Sequence, residues 1–179
     1  LREISNDEWN SCVSRVCGGC DFGFAISPLV IVICGYDKTH NSLYVIDEVF
    51  GRNIPNERCA QEMKRLIKSH RLGFDFRFIC DCAEPKSIDY LRRENLPVKA
   101  CIKGADSIRY GVKALQSLTK IIVDPVRCPN GAKQIANYEY QRNRAGEWID
   151  EYPMREDDFI DAIRYATSDI LNAKYNTFG

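Results

Sequence analysis

Apolar residues in the first third of the chain fall in short runs that are typical of β-strands. Over residues 16–24, cysteine and phenylalanine side chains alternate with Asp21 and with glycines, which predicts a strand with two different faces. Residues 29–36 are continuously apolar, as expected for a strand that is covered on both faces. Residues 43–50 are rich in β-formers and follow an Asn-Ser turn. We therefore predict an antiparallel meander of three strands.

From residue 55 onwards the pattern alternates between helical and strand periods. It predicts helices over 55–70, from Pro85 through Leu91, and over 108–118, 130–142 and 156–173, with strands over 76–81, 98–102 and 120–123. Three strands, then alternating helices and strands, then a closing helix predict an α/β domain with a ribonuclease H-like mixed sheet flanked by helices. A flavodoxin-like sheet would instead need a helix between the first two strands.

The 179 residues are 45% hydrophobic and contain no repeat or linker, which indicates one domain with a sizeable core. We interpret the polar residues 1–14 as the tail of an upstream linker and residues 15–179 as the domain. Because the chain begins with Leu1, we expect it to be part of a longer protein. No apolar run is long enough to cross a bilayer, and no signal peptide is visible, so we expect no membrane partner.

The formal net charge is zero and the pI is about 6.9, so any attraction to nucleic acid must be local. Basic residues outnumber acidic ones about two to one over residues 64–144, whereas residues 147–161 are strongly acidic. This asymmetry suits an enzyme that binds phosphates and metal cations, and equally suits ordinary solvated faces. The nine cysteines include one CxxC pair, Cys17 and Cys20, with no second pair to complete a zinc site. We expect buried free thiols in a reducing compartment.

Four aspartates are candidates for a shared site. Asp21 lies in the first strand, Asp81 ends a later strand, and Asp158 and Asp161 are three residues apart on one side of the last helix. Two carboxylates about 4 Å apart repel by roughly 4 kcal/mol at an effective dielectric of 20, so such a group would need a cation. Hard oxygen ligands favour Mg²⁺ or Mn²⁺. From helical spacing alone, Asp158 and Asp161 lie away from the apolar face of the helix and would be solvated surface acids. Asp21, which is close to glycines, could equally be a turn residue.

Five motifs are more specific than this spacing. They are GCDFGF (19–24), CDCAEPKSIDYLRREN (80–95), KGADSIRYGVKAL (103–115), NYEYQRN (137–143) and DDFIDAIRYA (157–166). In this order they resemble the nuclease domain of the large terminase subunits of tailed phages, over residues 16–173. The resemblance implies a ribonuclease H-like fold and an endonuclease that cuts double-stranded DNA concatemers at the start and end of viral genome packaging.

The resemblance also implies roles for individual residues. Asp21, Asp81 and Asp161 match the family's metal-binding aspartates. Many relatives carry histidine where this chain has Asp158, which is still a competent metal ligand or water-orienting group. Glu84 belongs to the second motif and could either act at the site or cap the helix that follows it.

The mechanism implied is two-metal phosphodiester hydrolysis, with Asp21 bridging two Mg²⁺ or Mn²⁺ ions and Asp81 and Asp161 each completing one site. Lys103 precedes a helix N-terminus and could contact a DNA phosphate or be a solvated loop lysine. The full set of candidate DNA contacts is Lys86, Arg92, Arg93, Lys103 and Arg109.

The implied partners are double-stranded DNA, an ATPase domain upstream in the same protein, the portal and the small terminase subunit, in the host cytoplasm. The chain itself has no GxxxxGK[ST] phosphate loop, which argues against an ATPase. Two alternatives remain open. One is another ribonuclease H-like nuclease, such as a resolvase or a transposase core. The other is a non-catalytic module that docks the packaging motor to DNA or to the portal.

Overall fold

The computed structural model describes residues 1–104, 106–138 and 157–171. Its centre is a sheet of six strands: β1 (Arg15–Asp21), β2 (Leu29–Asp37), β3 (Ser42–Gly51), β4 (Phe78–Cys80), β5 (Val98–Ala100) and β6 (Lys120–Val123). The strand order is β5-β4-β1-β2-β3-β6. β1, β2 and β3 form the antiparallel meander, β4 and β5 continue parallel to β1, and β6 pairs parallel with β3. The predicted mixed α/β fold is confirmed.

The helices of the described residues are α1 (Asn6–Cys12), α2 (Asn56–Ser69), α3 (Pro85–Arg93), α4 (Ser107–Gln116), α5 (Pro129–Ala136) and α6 (Asp158–Leu171). They cover both faces of the sheet. On one face α2 and α3 bury Met63 and Leu91, and on the other α4 and α6 bury Leu115 and Phe159. Full burial of one such side chain contributes roughly 1.5–3 kcal/mol. None of these helices is long and apolar enough to span a membrane.

The continuous apolar run of β2 has the burial predicted for a strand covered on both faces, because all nine of its residues are buried. β1 instead separates its two faces. The Cys20 thiol lies in the core under α2 and α3, whereas Gly19 faces α6. A Cβ atom at Gly19 would lie only 1.9 Å from the backbone oxygen of Ala162. The missing side chain thus allows α6 to lie directly on β1.

Three strands are shorter than predicted, and one of them, β5, ends at Ala100 rather than at residue 102. β1 ends at Asp21 rather than at residue 24, because β2 begins only after Pro28, which cannot donate to a sheet ladder, so residues 22–24 have no strand partner. β4 begins at Phe78 rather than at residue 76. The Phe76 N–H donates to the Gly73 oxygen in a turn, and its ring packs edge-on against Phe78.

The N-terminal segment is more structured than a linker tail. Residues 1–14 contain α1, which starts at a Ser5 cap whose side chain accepts a hydrogen bond from the Glu8 N–H. Ile4 is buried, and its N–H donates to the carboxylate of Asp124. Trp9 packs over Gly35 of β2. The sequence pattern does not predict this helix, because its few apolar residues are held by tertiary contacts with the core.

Residues 139–156 and 172–179 lie outside the described residues. These ranges include most of the NYEYQRN motif, the end of the predicted helix over 130–142, and the outer ends of the helix predicted over 156–173.

Candidate metal centre

Parallel strand ends bring the first two predicted aspartates together. β1, β4 and β5 run in the same direction, so their carboxyl ends share one edge of the sheet. Asp21 is the last residue of β1, and Asp81 directly follows β4. Cys20 and Cys80 are partners in the ladder, which places Asp21 and Asp81 side by side on strands about 4.8 Å apart. The Asp81 N–H donates to the Cys20 oxygen at 2.9 Å and continues this pairing.

α6 brings the helical aspartates to the same edge. The helix lies on β1 at Gly19, and its first turn contains Asp158 and Asp161. The Asp161 carboxylate is 22% exposed and accepts hydrogen bonds from the buried Arg164 guanidinium at 3.0 and 2.8 Å. Asp158 is also partly buried and accepts a hydrogen bond from Gln134. These two acids are therefore not freely solvated surface residues.

The electrostatics show that the acids act on one another. Burial, together with the negative charges of Asp161, Asp81 and Asp158, raises the pKa of Asp21 to about 8, although the Lys103 charge opposes this. Burial also raises the pKa of Asp161, against the effect of the Arg164 charge. Burial and mutual repulsion make the charged forms of these carboxylates unfavourable, so a cation bound among them would stabilise the cluster.

The ammonium group of Lys103 partly neutralises the negative charge of this cluster. Its ammonium lies 2.5 Å from the Asp81 carboxylate and 5.3 Å from the centroid of the Tyr165 ring. Burial lowers the pKa of Lys103, but the interactions with Asp81 and Tyr165 outweigh this effect and raise the pKa above its ordinary value. Lys103, predicted to contact a DNA phosphate, is thus held among the acids of the cluster.

Three residues at this site were missed by the sequence analysis. Arg164 is only 7% exposed and pairs with Asp161, and Tyr165 is buried beneath Lys103. Burial and the charge of Asp161 raise the pKa of Asp157. All three lie in the DDFIDAIRYA motif, and the i, i+3 spacing of Asp161 and Arg164 was the available signal for their ion pair.

Glu84 lies at the N-cap position of α3, close to Asp81 in sequence. Its side chain is exposed and makes no capping hydrogen bond, so the capping role considered for it is not observed.

The predicted DNA contacts are divided between two places. Lys86 and Arg109 are exposed in the first turns of α3 and α4. α3 begins next to Asp81 and runs back along the sheet, so Arg92 and Arg93 lie at its far end, about 12 Å from its start. Arg93 also pairs with Asp89. The structure does not bring these two arginines to the acid cluster.

An antiparallel meander extended by parallel strands, with a closing helix that carries acids over the first strand, defines the ribonuclease H-like nuclease class. The chain belongs to the terminase RNase H-like domain family, whose model matches residues 21–169.

Two curated relatives are similar to the chain. The terminase large subunit of Bacillus phage SPP1 is 36% identical over 151 residues, which are 83% of this chain and 34% of that protein. The PBSX phage terminase large subunit of Bacillus subtilis (strain 168) is 25% identical over 171 residues, covering 93% and 38%. The chain thus spans about a third of the length of these relatives.

Solved structures agree with this assignment. The nuclease domain of the SPP1 large terminase, determined with bound Mn, superposes with a TM-score of 0.82 at 33% identity, covering 93% of this chain and 92% of that one. The nuclease domain of the P22 large terminase shares the fold at 14% identity, with a TM-score of 0.67 and coverage of 99% and 87%.

Proposed function

We propose that this domain is a Mg²⁺- or Mn²⁺-dependent endonuclease that cuts double-stranded DNA concatemers during viral genome packaging. The observation that carries the proposal is the convergence of Asp21, Asp81 and Asp161 from three separate elements, where burial and the neighbouring negative charges raise the pKa of Asp21 to about 8. The Mn-bound structure of the related SPP1 nuclease domain supports the choice of metal.

The chemistry of the donor set fits hard divalent cations. Asp21, Asp81 and Asp161 offer carboxylate oxygens, which Mg²⁺ and Mn²⁺ prefer. Asp158 offers a fourth carboxylate on the same turn of α6. Two cations would neutralise charges that otherwise repel each other in a partly buried setting.

Each of these side chains has a role in the proposed mechanism. Asp21, which is central in the cluster, would hold the two ions together with Asp81 and Asp161. When bound, two such ions activate water for attack on phosphorus and stabilise the departing 3′-oxygen. Arg164 holds the Asp161 carboxylate in place through its two hydrogen bonds. Lys103, which pairs with Asp81, would be available to a DNA phosphate once a cation neutralised that carboxylate.

DNA binding is proposed to rest mainly on backbone phosphates. Lys86, Lys103 and Arg109 lie on the elements that follow β4 and β5 at the edge where the acids meet. Arg92 and Arg93 would contact a duplex only farther from the cut. Phosphate contacts of this kind give salt-sensitive affinity with little sequence preference.

The remaining partners follow from the family. We propose that the domain works in the host cytoplasm within a longer protein that also holds an ATPase domain, together with the portal and the small terminase subunit. Family membership favours this role over a resolvase or a transposase core. Product analysis on linear duplex and on four-way junctions would separate these enzymes, and a docking module would bind DNA without metal-dependent cutting.

The test is cleavage of supercoiled plasmid by the purified domain with Mn²⁺, Mg²⁺ or EDTA. We expect cutting with Mn²⁺ or Mg²⁺, and its loss in Asp21→Ala and Asp81→Asn. Asp169→Asn is a matched control, because this exposed aspartate of α6 pairs with Lys99 away from the cluster. Undiminished cutting by Asp81→Asn would remove the mechanism.

Metal binding should also raise the thermal stability of the domain, which gives a second test. At a hundredfold excess over Kd, a ligand that binds only the native state stabilises it by about 2.7 kcal/mol. We expect Mn²⁺ to raise the melting temperature of the wild type and of Asp169→Asn, but not of Asp21→Ala. A wild-type melting temperature that ignores millimolar Mn²⁺ would contradict the site.

A further inference from the structure

Two cysteine thiols lie beside Asp81, although no sequence pattern predicts them there. The carboxylate of Asp81 and the sulfurs of Cys82 and Cys101 all lie within 4.8 Å of one another. Over residues 1–104, 106–138 and 157–171, this is the one group of three such ligands found so close together. The two cysteines are 19 positions apart, so no metal-binding spacing links them.

The fold fixes the backbone of this group. The N–H of Cys101 donates to the Cys80 oxygen at 2.7 Å, and the N–H of Asp81 donates to the Cys20 oxygen. Cys101 is buried against Ile79 and Tyr165, with Cys82 packed beside them. The three ligands therefore sit on neighbouring strand ends that the sheet holds in register.

The donor set differs from that of the acid cluster. Two sulfurs and one carboxylate oxygen, with water as a fourth ligand, match tetrahedral Zn²⁺ coordination. With Zn–S bonds of about 2.3 Å, two sulfur ligands of a tetrahedral ion lie about 3.8 Å apart. Side-chain movements of about 1 Å would therefore bring the three ligand atoms to the distances that Zn²⁺ requires. Two thiolates and one carboxylate carry three negative charges, which Zn²⁺ and the neighbouring Lys103 ammonium balance.

We propose that Asp81, Cys82 and Cys101 form a site for a thiophilic divalent cation such as Zn²⁺, separate in chemistry from the all-oxygen site for Mg²⁺ or Mn²⁺. Zn²⁺ accepts sulfur ligands readily, whereas Mg²⁺ and Mn²⁺ select oxygen. Because both sites use Asp81, zinc at the thiols withdraws this carboxylate from the acid cluster. The consequence, which rests on the proposed nuclease function, is that zinc inhibits DNA cutting through the two cysteines.

Co²⁺ titration of the purified domain in a non-thiol reductant tests the site without DNA. Sulfur ligation gives a charge-transfer band in the near ultraviolet, and a tetrahedral ion gives intense visible bands, whereas carboxylate-bound Co²⁺ gives neither. We expect both features in the wild type, displaced by Zn²⁺. Cys82→Ser and Cys101→Ser should weaken Co²⁺ binding at least about tenfold, since even the loss of a ligand's supporting partner costs that much.

Cys12→Ser is the matched control, because this partly buried thiol lies on α1, apart from the group. It should leave the cobalt spectrum unchanged. Cys82 is only partly buried, so Cys82→Ser stays informative if Cys101→Ser fails to fold. Absence of a sulfur-to-cobalt band in the folded wild type, or an identical band in Cys82→Ser, would overturn the proposal.

DNA cleavage tests the proposed inhibition by zinc. With Mn²⁺ held constant, we expect the Zn²⁺ concentration for half-inhibition to rise at least about tenfold in Cys82→Ser, with Mn²⁺-supported cutting retained. Equal zinc sensitivity in both proteins would refute the inhibition. If the domain cut no DNA with any metal, the nuclease proposal would fail, while the cobalt spectrum would still decide whether the thiol site exists.

Discussion

Replacement of Gly19 by alanine tests whether the placement of α6 on β1 builds the acid cluster. A Cβ atom at this position would lie 1.9 Å from the Ala162 oxygen and 2.7 Å from the Ala166 nitrogen, where ordinary contact begins at 3.4 Å. Both atoms belong to the backbone of α6 and cannot rotate away. The helix must therefore move outward by about 1.5 Å, and it takes Asp161 with it.

Overpacking of this kind costs typically 1–3 kcal/mol, and we expect Gly19→Ala to lie near the upper end, about 3 kcal/mol, because the clash is with backbone. The shift should also weaken Mn²⁺ binding at least tenfold, since a metal site tolerates ligand errors of only about 0.5 Å. Urea unfolding and Mn²⁺ titration calorimetry measure the two effects.

Gly104→Ala is the matched control. A Cβ atom there meets nothing within 4 Å, so stability should change by less than about 1 kcal/mol and Mn²⁺ binding should persist. If Gly19→Ala were as stable as the wild type and bound Mn²⁺ equally well, the inferred dependence of the site on this helix contact would be wrong.

Three further predictions concern the charges of the site. Asp21→Asn should abolish cleavage but stabilise the metal-free domain by about 2 kcal/mol at pH 8, because it removes a buried carboxylate that neighbouring acids repel. Urea unfolding in EDTA measures this stability, and a loss of stability would contradict the prediction. Since the folded pKa of Asp21, about 8, lies above its ordinary 3.8, the metal-free fold binds the extra proton, and its stability should fall as pH rises from 6 to 8, by at most about 1.4 kcal/mol per pH unit. A slope in Asp21→Asn equal to that of the wild type would refute this assignment. Arg164→Met should destabilise the domain by about 3 kcal/mol, because it leaves Asp161 partly buried without its partner; unchanged unfolding in urea would count against that ion pair.

The sequence determined the fold class and the candidate residues. The continuous apolar run of β2 and the switch from strand to helical period after residue 55 reflect local side-chain preferences, and both are confirmed in the structure. The motifs around Asp21, Asp81 and Asp161 identified the family, which the match over residues 21–169 confirms. Patterns of this kind report which face of an element is buried, so they needed no knowledge of neighbouring elements.

Only the tertiary structure decided what meets at the sheet edge. Asp21 and Asp161 are 140 positions apart, and their proximity depends on α6 lying against Gly19, which no periodicity encodes. The contact between Lys103 and Asp81, and the approach of the Cys82 and Cys101 thiols, follow from β4 and β5 ending in register. Sequence patterns fix the direction of a side chain within its own element, whereas strand order and helix docking fix which side chains lie together at the sheet edge.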